Sequence, residues 1–181
     1  MARCYDGLFA ATLLISLSLG GGAAARTRMF SYDPANSLTR QTSGGLTFRF
    51  DQRLTGVLIN RVMATEGNAG ASLRPSPEAA LGPRGLAGVL ARPSPEHDLY
   101  EVLSTDQGGA LISAFCPGAQ HAWMAFGRLR SGHDLRVLVL GAGPSAAHLC
   151  QTLDFTFRAE WKLPPTPRID PTQFDPPVLD H

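Results

Sequence analysis

Residues 153–163 read LDFTFRAEWKL and carry the clearest periodic pattern in the chain. Apolar side chains alternate with polar ones, and the apolar set is Leu153, Phe155, Phe157, Ala159 and Trp161. Because successive side chains of a β-strand point to opposite faces, this alternation predicts a long strand with one buried and one wet face. Trp161 and the following Leu163 are expected to complete the buried face and to lie in the core.

Other segments predict further strands of the same sheet. Residues 46–50 (LTFRF) alternate in the same way, and residues 57–63 are rich in branched side chains. Residues 51–53 between them are expected to form a hairpin turn. Residues 135–140 are almost wholly Leu and Val, which is typical of a central strand that is buried on both faces.

One helix is expected in the middle of the chain. Residues 107–116 place Leu111, Ala114 and Phe115 on one helical face, and Pro117 follows as a stop signal. Residues 99–104 fit either a strand or a helix, and we predict a strand because Asp106 has the character of a new helix N-cap. The predicted fold is therefore α+β, with a mainly antiparallel sheet and one or two short helices.

The domain organisation follows from changes in composition along the chain. Residues 26–43 carry few periodic apolar residues and are expected to be an extended lead-in to a single α+β domain at 44–163. Residues 67–98, rich in Pro, Gly and Ala, are expected to be an insertion in that domain. Residues 164–181 are rich in proline, which predicts an extended tail that the domain does not need for folding.

The pentapeptide Arg-Pro-Ser-Pro-Glu occurs twice within the expected insertion, at residues 74–78 and 92–96. It could serve as a docking motif for a partner that binds extended proline segments. We favour a structural interpretation, in which Ser76 and Ser94 are N-caps of short helices that begin at the following proline. Whether the repeats are functional stays open.

Residues 1–25 have the pattern of an export signal. Residues 8–19 form an apolar run that is shorter than the about 20 residues needed to span a bilayer. Three alanines follow, which predicts cleavage after Ala25 and Arg26 as the mature N-terminus. The alternative is an uncleaved interfacial helix. The mature chain is expected to be periplasmic or extracellular and to have no transmembrane span.

The cysteine positions support the same compartment. Cys4 lies in the signal, so the mature chain keeps only Cys116 and Cys150. A pair of this kind in an oxidising compartment predicts a disulfide, which would contribute about 3–4 kcal/mol of stability. The alternative is a free catalytic Cys116 with His121 or His133 as its base.

A glycine pattern at residues 141–146 invites a cofactor interpretation that we reject. Gly141, Gly143 and Ala146 follow a buried strand, as in a dinucleotide-binding fingerprint. The next strand starts too soon for a crossover helix, and only the tail follows it, so no such cofactor is expected. The histidines also lack the spacing of metal ligands, so neither a metal nor another cofactor is expected.

Composition and motifs together favour a binding function. The chain has 181 residues, 17% charged residues and a formal net charge of +1, which argues against a nucleic-acid partner recruited by bulk charge. No catalytic residue is predicted. The expected function is an exported, non-catalytic binding or envelope-accessory protein, whose partner is an unknown envelope protein or a small ligand; its oligomeric state is open.

The alternative function is a hydrolase-like enzyme with a site assembled from Cys116, His121, His133 and Asp134. A deep pocket that collects two or more of these side chains would favour the enzyme. An exposed apolar surface would favour the binding protein.

Overall fold

The computed structural model describes residues 26–53, 56–144 and 146–164. Each strand pairs antiparallel with its sequence neighbours, and the last strand closes on the first to give an eight-stranded barrel. The predicted α+β fold is therefore wrong, because the sheet curls into a closed barrel. The strands are β1 (Arg26–Pro34), β2 (Leu46–Arg53), β3 (Gly56–Ala64), β4 (Gly70–Pro75), β5 (Asp98–Val102), β6 (His121–Phe126), β7 (Leu135–Ala142) and β8 (His148–Lys162).

Strand β1 is the closing strand, and it occupies the segment that was expected to be an extended lead-in. Phe30 and Tyr32 point into the barrel, while Ser31 between them points outward. A short helix, α1 (Ser37–Ser43), follows; the Asn36 side chain accepts a hydrogen bond from the Thr39 amide at its start. Two inward aromatic residues are too few to form a recognisable strand pattern, and β1 was therefore not predicted from the sequence.

The barrel has two distinct ends, and helices α1 and α3 (Gly108–Phe115) lie at one of them. Helix α3 buries Leu111, Ile112 and Phe115 in the interior cluster, and it contacts α1 at the same end. We call this the capped end. The β2–β3 hairpin and the connection at residues 127–134 lie at the opposite end, which we call the mouth. The third helix, α2 (Gly85–Leu90), lies on the outside of the barrel.

Side chains fill the barrel, as expected for eight strands. The interior holds residues from every strand together with those of α3, and Phe48, Phe126 and Phe155 are among the largest fully buried side chains. A smaller cluster covers the outer face of β5, β6 and β7 under α2 and contains Leu81, Leu86, Leu99, Trp123, Ala125, Leu138 and Leu140. The prediction that residues 135–140 are buried on both faces is therefore confirmed for residues 137–140, whereas Arg136 is exposed.

The individual elements match the predictions in part. Strands are confirmed at residues 46–50 and 57–63, and the helix at residues 107–116 is confirmed as α3. The strand predicted at residues 99–104 is β5, which ends at Val102. Strand β2 continues through residues 51–53, so these residues do not form the hairpin turn. On α3, Ile112 is buried in place of the expected Ala114, and the N-cap is Gln107 rather than Asp106.

The expected insertion at residues 67–98 contains regular structure. Residues 70–75 form β4, and a 3₁₀ helix at Glu78–Leu81 precedes α2. Neither repeat serine caps a helix: Pro77 stands at the N-cap of the 3₁₀ helix, and the Ser94 hydroxyl instead donates to the Glu96 carboxylate.

Strand β8 confirms the strand predicted from residues 153–163 and its buried face as far as Phe157, but not beyond. Tyr32 pairs with Phe157 and Ser31 pairs with Ala159, so Arg158 is an extra residue in a β-bulge. Beyond the bulge the alternation reverses. Trp161 and Leu163 therefore lie on the outside, with 47% and 39% of their surface exposed, and the prediction that they belong to the core is wrong.

The reversal turns Glu160 into the barrel interior near the mouth. Its carboxylate accepts a hydrogen bond from the Arg28 guanidinium at 2.8 Å, and both side chains are largely shielded from solvent. This ion pair replaces the apolar contact that an unbroken alternation would have placed there.

Among the helices of the described residues, none has the length and apolar character needed to span a membrane. The predicted export signal at residues 1–25, with its cleavage after Ala25, lies outside the described residues. So does the tail beyond Pro164.

Candidate functional site

A disulfide joins the capped end to the last strand. Cys116 directly follows α3, Cys150 lies in β8, and their Cα atoms are 5.3 Å apart. The predicted disulfide is therefore present. Gly141 on β7 packs against it so closely that a Cβ atom there would lie 2.9 Å from Cys150 Sγ and closer still to Cys116 Sγ.

His148 lies beside this disulfide, and sequence spacing did not single it out. Its Nε2 atom is 3.7 Å from Cys150 Sγ, and the ligand atoms of His148, Cys150 and Cys116 all lie within 4.8 Å of one another. Zinc and copper bind cysteine as the thiolate. Because the two sulfur atoms are bonded to each other, the disulfide form offers a metal only the imidazole.

The candidate catalytic residues are distributed over both ends of the barrel. Cys116 is bonded and 1% exposed, and His121 begins β6 at the capped end. His133 and Asp134 lie in the β6–β7 connection at the mouth, where Asp134 accepts a hydrogen bond from the Phe157 amide. The structure thus does not bring His133 and Asp134 to Cys116.

The glycine pattern after β7 belongs to a strand connection. Strands β7 and β8 are antiparallel neighbours, with Gly141 opposite His148. A dinucleotide fingerprint instead requires a helix that leads to a parallel strand. The tight packing of Gly141 against the disulfide supplies a structural reason for this glycine.

A polar cavity of about 510 Å³ opens at the mouth. Burial raises the pKa of the Tyr100 hydroxyl, and the Asp98 carboxylate raises it further, against the opposing effect of a backbone hydrogen bond at Ile59. Tyr100 therefore remains a hydrogen-bond donor at neutral pH. The cavity is lined by Gln52, Gly56, Val57, Ile59, His97, Asp98, Tyr100, Arg128 and Leu129.

A second, mainly apolar depression of about 630 Å³ lies on the outer wall of the barrel. We call it the outer groove. Ser31 is 7% exposed and hydrogen-bonds to Thr47 at 2.6 Å between the two hydroxyl oxygens. The groove is lined by Met29, Ser31, Thr47, Met63, Ala64, Thr65, Trp161, Lys162 and Leu163.

Strand register explains how the outer groove forms. Trp161 on β8 pairs with Met29 on β1, and Met29 pairs with Arg49 on β2. The adjacent row runs from Ala159 through Ser31, Thr47 and Met63, which also point outward. The bulge at Arg158 places Trp161 in the first of these rows, so this one extra residue creates the apolar side of the groove.

The sequence carries a weak sign of this arrangement. An unbroken alternation would put Glu160 on the wet face and leave Arg28, two residues before the inward Phe30, without an acidic partner in the barrel. A reversal that pairs Arg28 with Glu160 satisfies both charges. The position of the bulge itself cannot be inferred without knowing that β1 and β8 are neighbours.

Comparison with protein-family models, curated proteins and solved structures found no match to this chain.

Proposed function

We propose that this protein is an exported, non-catalytic accessory protein that binds a partner protein through the outer groove. The observation that carries the proposal is the half-exposed Trp161 beside Met29, Met63 and Leu163. Tryptophan and methionine are enriched where proteins contact one another, and contiguous exposed apolar surface marks interaction sites.

The distribution of exposed apolar side chains supports this choice of surface. Trp161 and Leu163 both line the outer groove. The other large exposed apolar residues of the described chain lie elsewhere: Leu38 on α1, Val57 at the mouth and Leu149 at the start of β8. The groove is therefore the place where apolar exposure is concentrated.

The residues that line the two cavities weigh against the hydrolase-like alternative. Neither the outer groove nor the mouth cavity is lined by Cys116, His121, His133 or Asp134. A nucleophile and its base must lie within hydrogen-bond reach of each other, and a cavity must admit the substrate. The two cavities thus support binding more than catalysis.

Affinity capture from the envelope fraction tests the proposal. The mature protein, a Trp161→Glu variant and a Leu149→Glu control are each immobilised, and retained proteins are identified by mass spectrometry. Both substitutions place a charge at a half-exposed apolar position, but only the first lies in the groove. We expect a partner that is retained by the mature protein and the control and lost from Trp161→Glu. Equal retention of every captured protein by the Trp161→Glu variant and the mature protein would contradict the proposal.

Export is tested separately by the intact mass of protein recovered from the envelope or the medium. The mass should correspond to a chain that begins at Arg26. Recovery of only the full-length chain, and only from the cytoplasm, would contradict export.

The mouth cavity favours a second candidate function, the binding of a small ligand. Its polar groups converge above the apolar side chains of Ile59 and Leu129, as in ligand sites at barrel mouths. A small-molecule screen monitored by amide resonances would place ligand-dependent shifts around Tyr100 and Arg128. Shifts confined to the outer groove would refute this candidate.

A further inference from the structure

We infer that the partner segment bound in the outer groove is acidic, with carboxylates that pair with Arg49 and Arg61 beside an apolar anchor. The inference rests on the proposed function and specifies the chemistry of its partner. It starts from a row of positive charge at the edge of the groove. This row consists of Arg49 and Arg61, which continue the outward row of Trp161 and Met29 across β2 and β3.

Arg49 and Arg61 face each other directly across β2 and β3. Like charges in directly opposed cross-strand positions destabilise a sheet, so this pair opposes folding. Within the described residues, neither arginine has a carboxylate at ion-pair distance. The described part of the chain therefore leaves this concentration of charge without a counter-ion.

The nearest outward acid on the same strand does not neutralise the pair. Asp51 lies two residues beyond Arg49, but its carboxylate accepts hydrogen bonds from Thr27 at 2.8 Å and from Asn60 at 3.1 Å. Both of its oxygen atoms are thus engaged by other side chains, and neither lies at ion-pair distance from Arg49 or Arg61.

The Arg61 side chain extends toward the groove. Its Nη2 atom and Met63 Cγ lie 3.6 Å and 3.3 Å from the place where a Cβ atom of Gly70 would be. The missing side chain of Gly70 thus leaves room for the guanidinium beside a residue that lines the groove.

Guanidinium groups bind carboxylates through two parallel hydrogen bonds, so a pair of arginines selects Asp or Glu over neutral side chains. Strand addition cannot supply the contact, because all eight strands are paired on both sides in the closed barrel. The partner must therefore be recognised through side chains: an apolar anchor in the groove and acidic residues over the arginines.

An anionic lipid surface would satisfy the same charges, but the shape favours a protein. Apolar residues that insert into a membrane must protrude from the surface. Here Ser31 is 7% exposed between flanking apolar side chains, so the surface is recessed. A recess accepts a protruding side chain of a partner.

Selection from a displayed random-peptide library against the mature protein tests the inference. Selected peptides are then synthesised, and their affinities are measured for the mature protein and for three variants. Trp161→Ala removes the apolar wall, the double variant Arg49→Gln/Arg61→Gln removes the charge, and Arg136→Gln is the control, since Arg136 is an outward arginine paired with Asp154 at 2.7 Å. Thermal melts verify folding, and the double variant should be at least as stable as the parent because it removes a repulsion.

We expect peptides enriched in Asp and Glu beside an aromatic or aliphatic residue. Their binding should weaken about tenfold or more in the double variant and in Trp161→Ala, and it should be unchanged in Arg136→Gln. Groove-dependent peptides without acidic enrichment would overturn the inference and leave the proposed function standing. The absence of any peptide that depends on Trp161 would overturn both.

Vesicles of phosphatidylglycerol and phosphatidylcholine provide the remaining comparison. The mature protein could bind these vesicles more strongly than the selected peptides and lose that binding in Trp161→Ala. This result would overturn the inference and indicate that the groove binds a lipid surface rather than an acidic protein. Vesicle binding that is absent or independent of Trp161 supports the inference.

Discussion

The Tyr32 hydroxyl is a buried polar group whose removal should stabilise the barrel. Tyr32 is 2% exposed in the barrel interior, and no hydrogen-bond partner for its hydroxyl lies among the described residues. Its ring packs edge-on against Phe48 and Phe157, with centroid distances of 6.2 Å and 5.7 Å. A Tyr32→Phe substitution keeps these ring contacts and removes only the hydroxyl.

The expected gain follows from the cost of an unpaired buried hydroxyl, which is about 1–3 kcal/mol. We expect Tyr32→Phe to raise the free energy of unfolding by about 1–2 kcal/mol at neutral pH, since relaxation recovers part of that cost in the parent. For a domain of this size, the melting temperature should rise by about 3 °C for each kcal/mol.

The difference should widen at alkaline pH. Burial raises the pKa of Tyr32 far above its ordinary value, so the folded state holds the proton while the unfolded state releases it. Because the folded-state pKa is raised, stability is fully present below about pH 10 and falls as the pH rises above it. Tyr32 alone should remove about 1.4 kcal/mol by about pH 11, a loss that the phenylalanine variant does not share.

Urea unfolding at about pH 8 and at about pH 11 measures both effects. Tyr100→Phe is the matched control: burial also raises the pKa of Tyr100, but this residue lines the mouth cavity and its hydroxyl is not among the buried polar atoms that lack a partner. That substitution should bring no comparable gain at neutral pH, because it removes no unpaired buried hydroxyl. If Tyr32→Phe destabilised the protein, the hydroxyl would have a favourable partner and the reasoning would be refuted.

Three further predictions concern packing. Gly141→Ala should lower the free energy of unfolding by about 1–3 kcal/mol, because its Cβ would collide with both disulfide sulfurs. Gly143→Ala is the control in the same urea assay: its Cβ would lie 3.7 Å from the nearest atom, so stability should change by less than about 0.5 kcal/mol. Trp161→Ala should cost about 1 kcal/mol or less, against about 3–5 kcal/mol for the interior Phe155→Ala; equal costs would place Trp161 in the core after all. Removal of residues 164–181 should leave the melting temperature nearly unchanged, because a proline-rich segment with scattered apolar residues offers little to offset its ordering cost. A loss of many degrees would show that the tail packs on the barrel.

Local pattern was enough to predict the strands with strong alternation or strong apolar character, including β2, β3 and β7. The pairing of Cys116 with Cys150 could also be predicted. Once Cys4 is assigned to the predicted export signal, these two cysteines are the only pair left, and the expected oxidising compartment favours a disulfide between them. The strand predictions depend on side-chain periodicity, which can be read from a short stretch of chain. The disulfide prediction depends on a count of the cysteines, which needs no knowledge of the fold.

Closure of the barrel was not accessible, because it depends on the pairing of β1 with β8, and β1 carries too weak a pattern. The outer groove was hidden for the same reason. The bulge at Arg158 exists only in relation to Ser31 and Tyr32 on the neighbouring strand. Alternation alone placed Trp161 in the core, and a single inserted residue moved it to the surface.

The pairing of the first strand with the last has a consequence for the order of folding. Arg28 and Glu160, which form an ion pair across this seam, are 132 residues apart in the chain. The β1–β8 contacts can therefore form only when the whole barrel sequence is present, and until then β1 lacks half of its hydrogen-bond partners. A chain with such non-local closure folds late and slowly. The Cys116–Cys150 disulfide, whose second cysteine lies in β8, therefore also waits for the last strand, so closure of the barrel and cross-linking of its capped end both come late in folding.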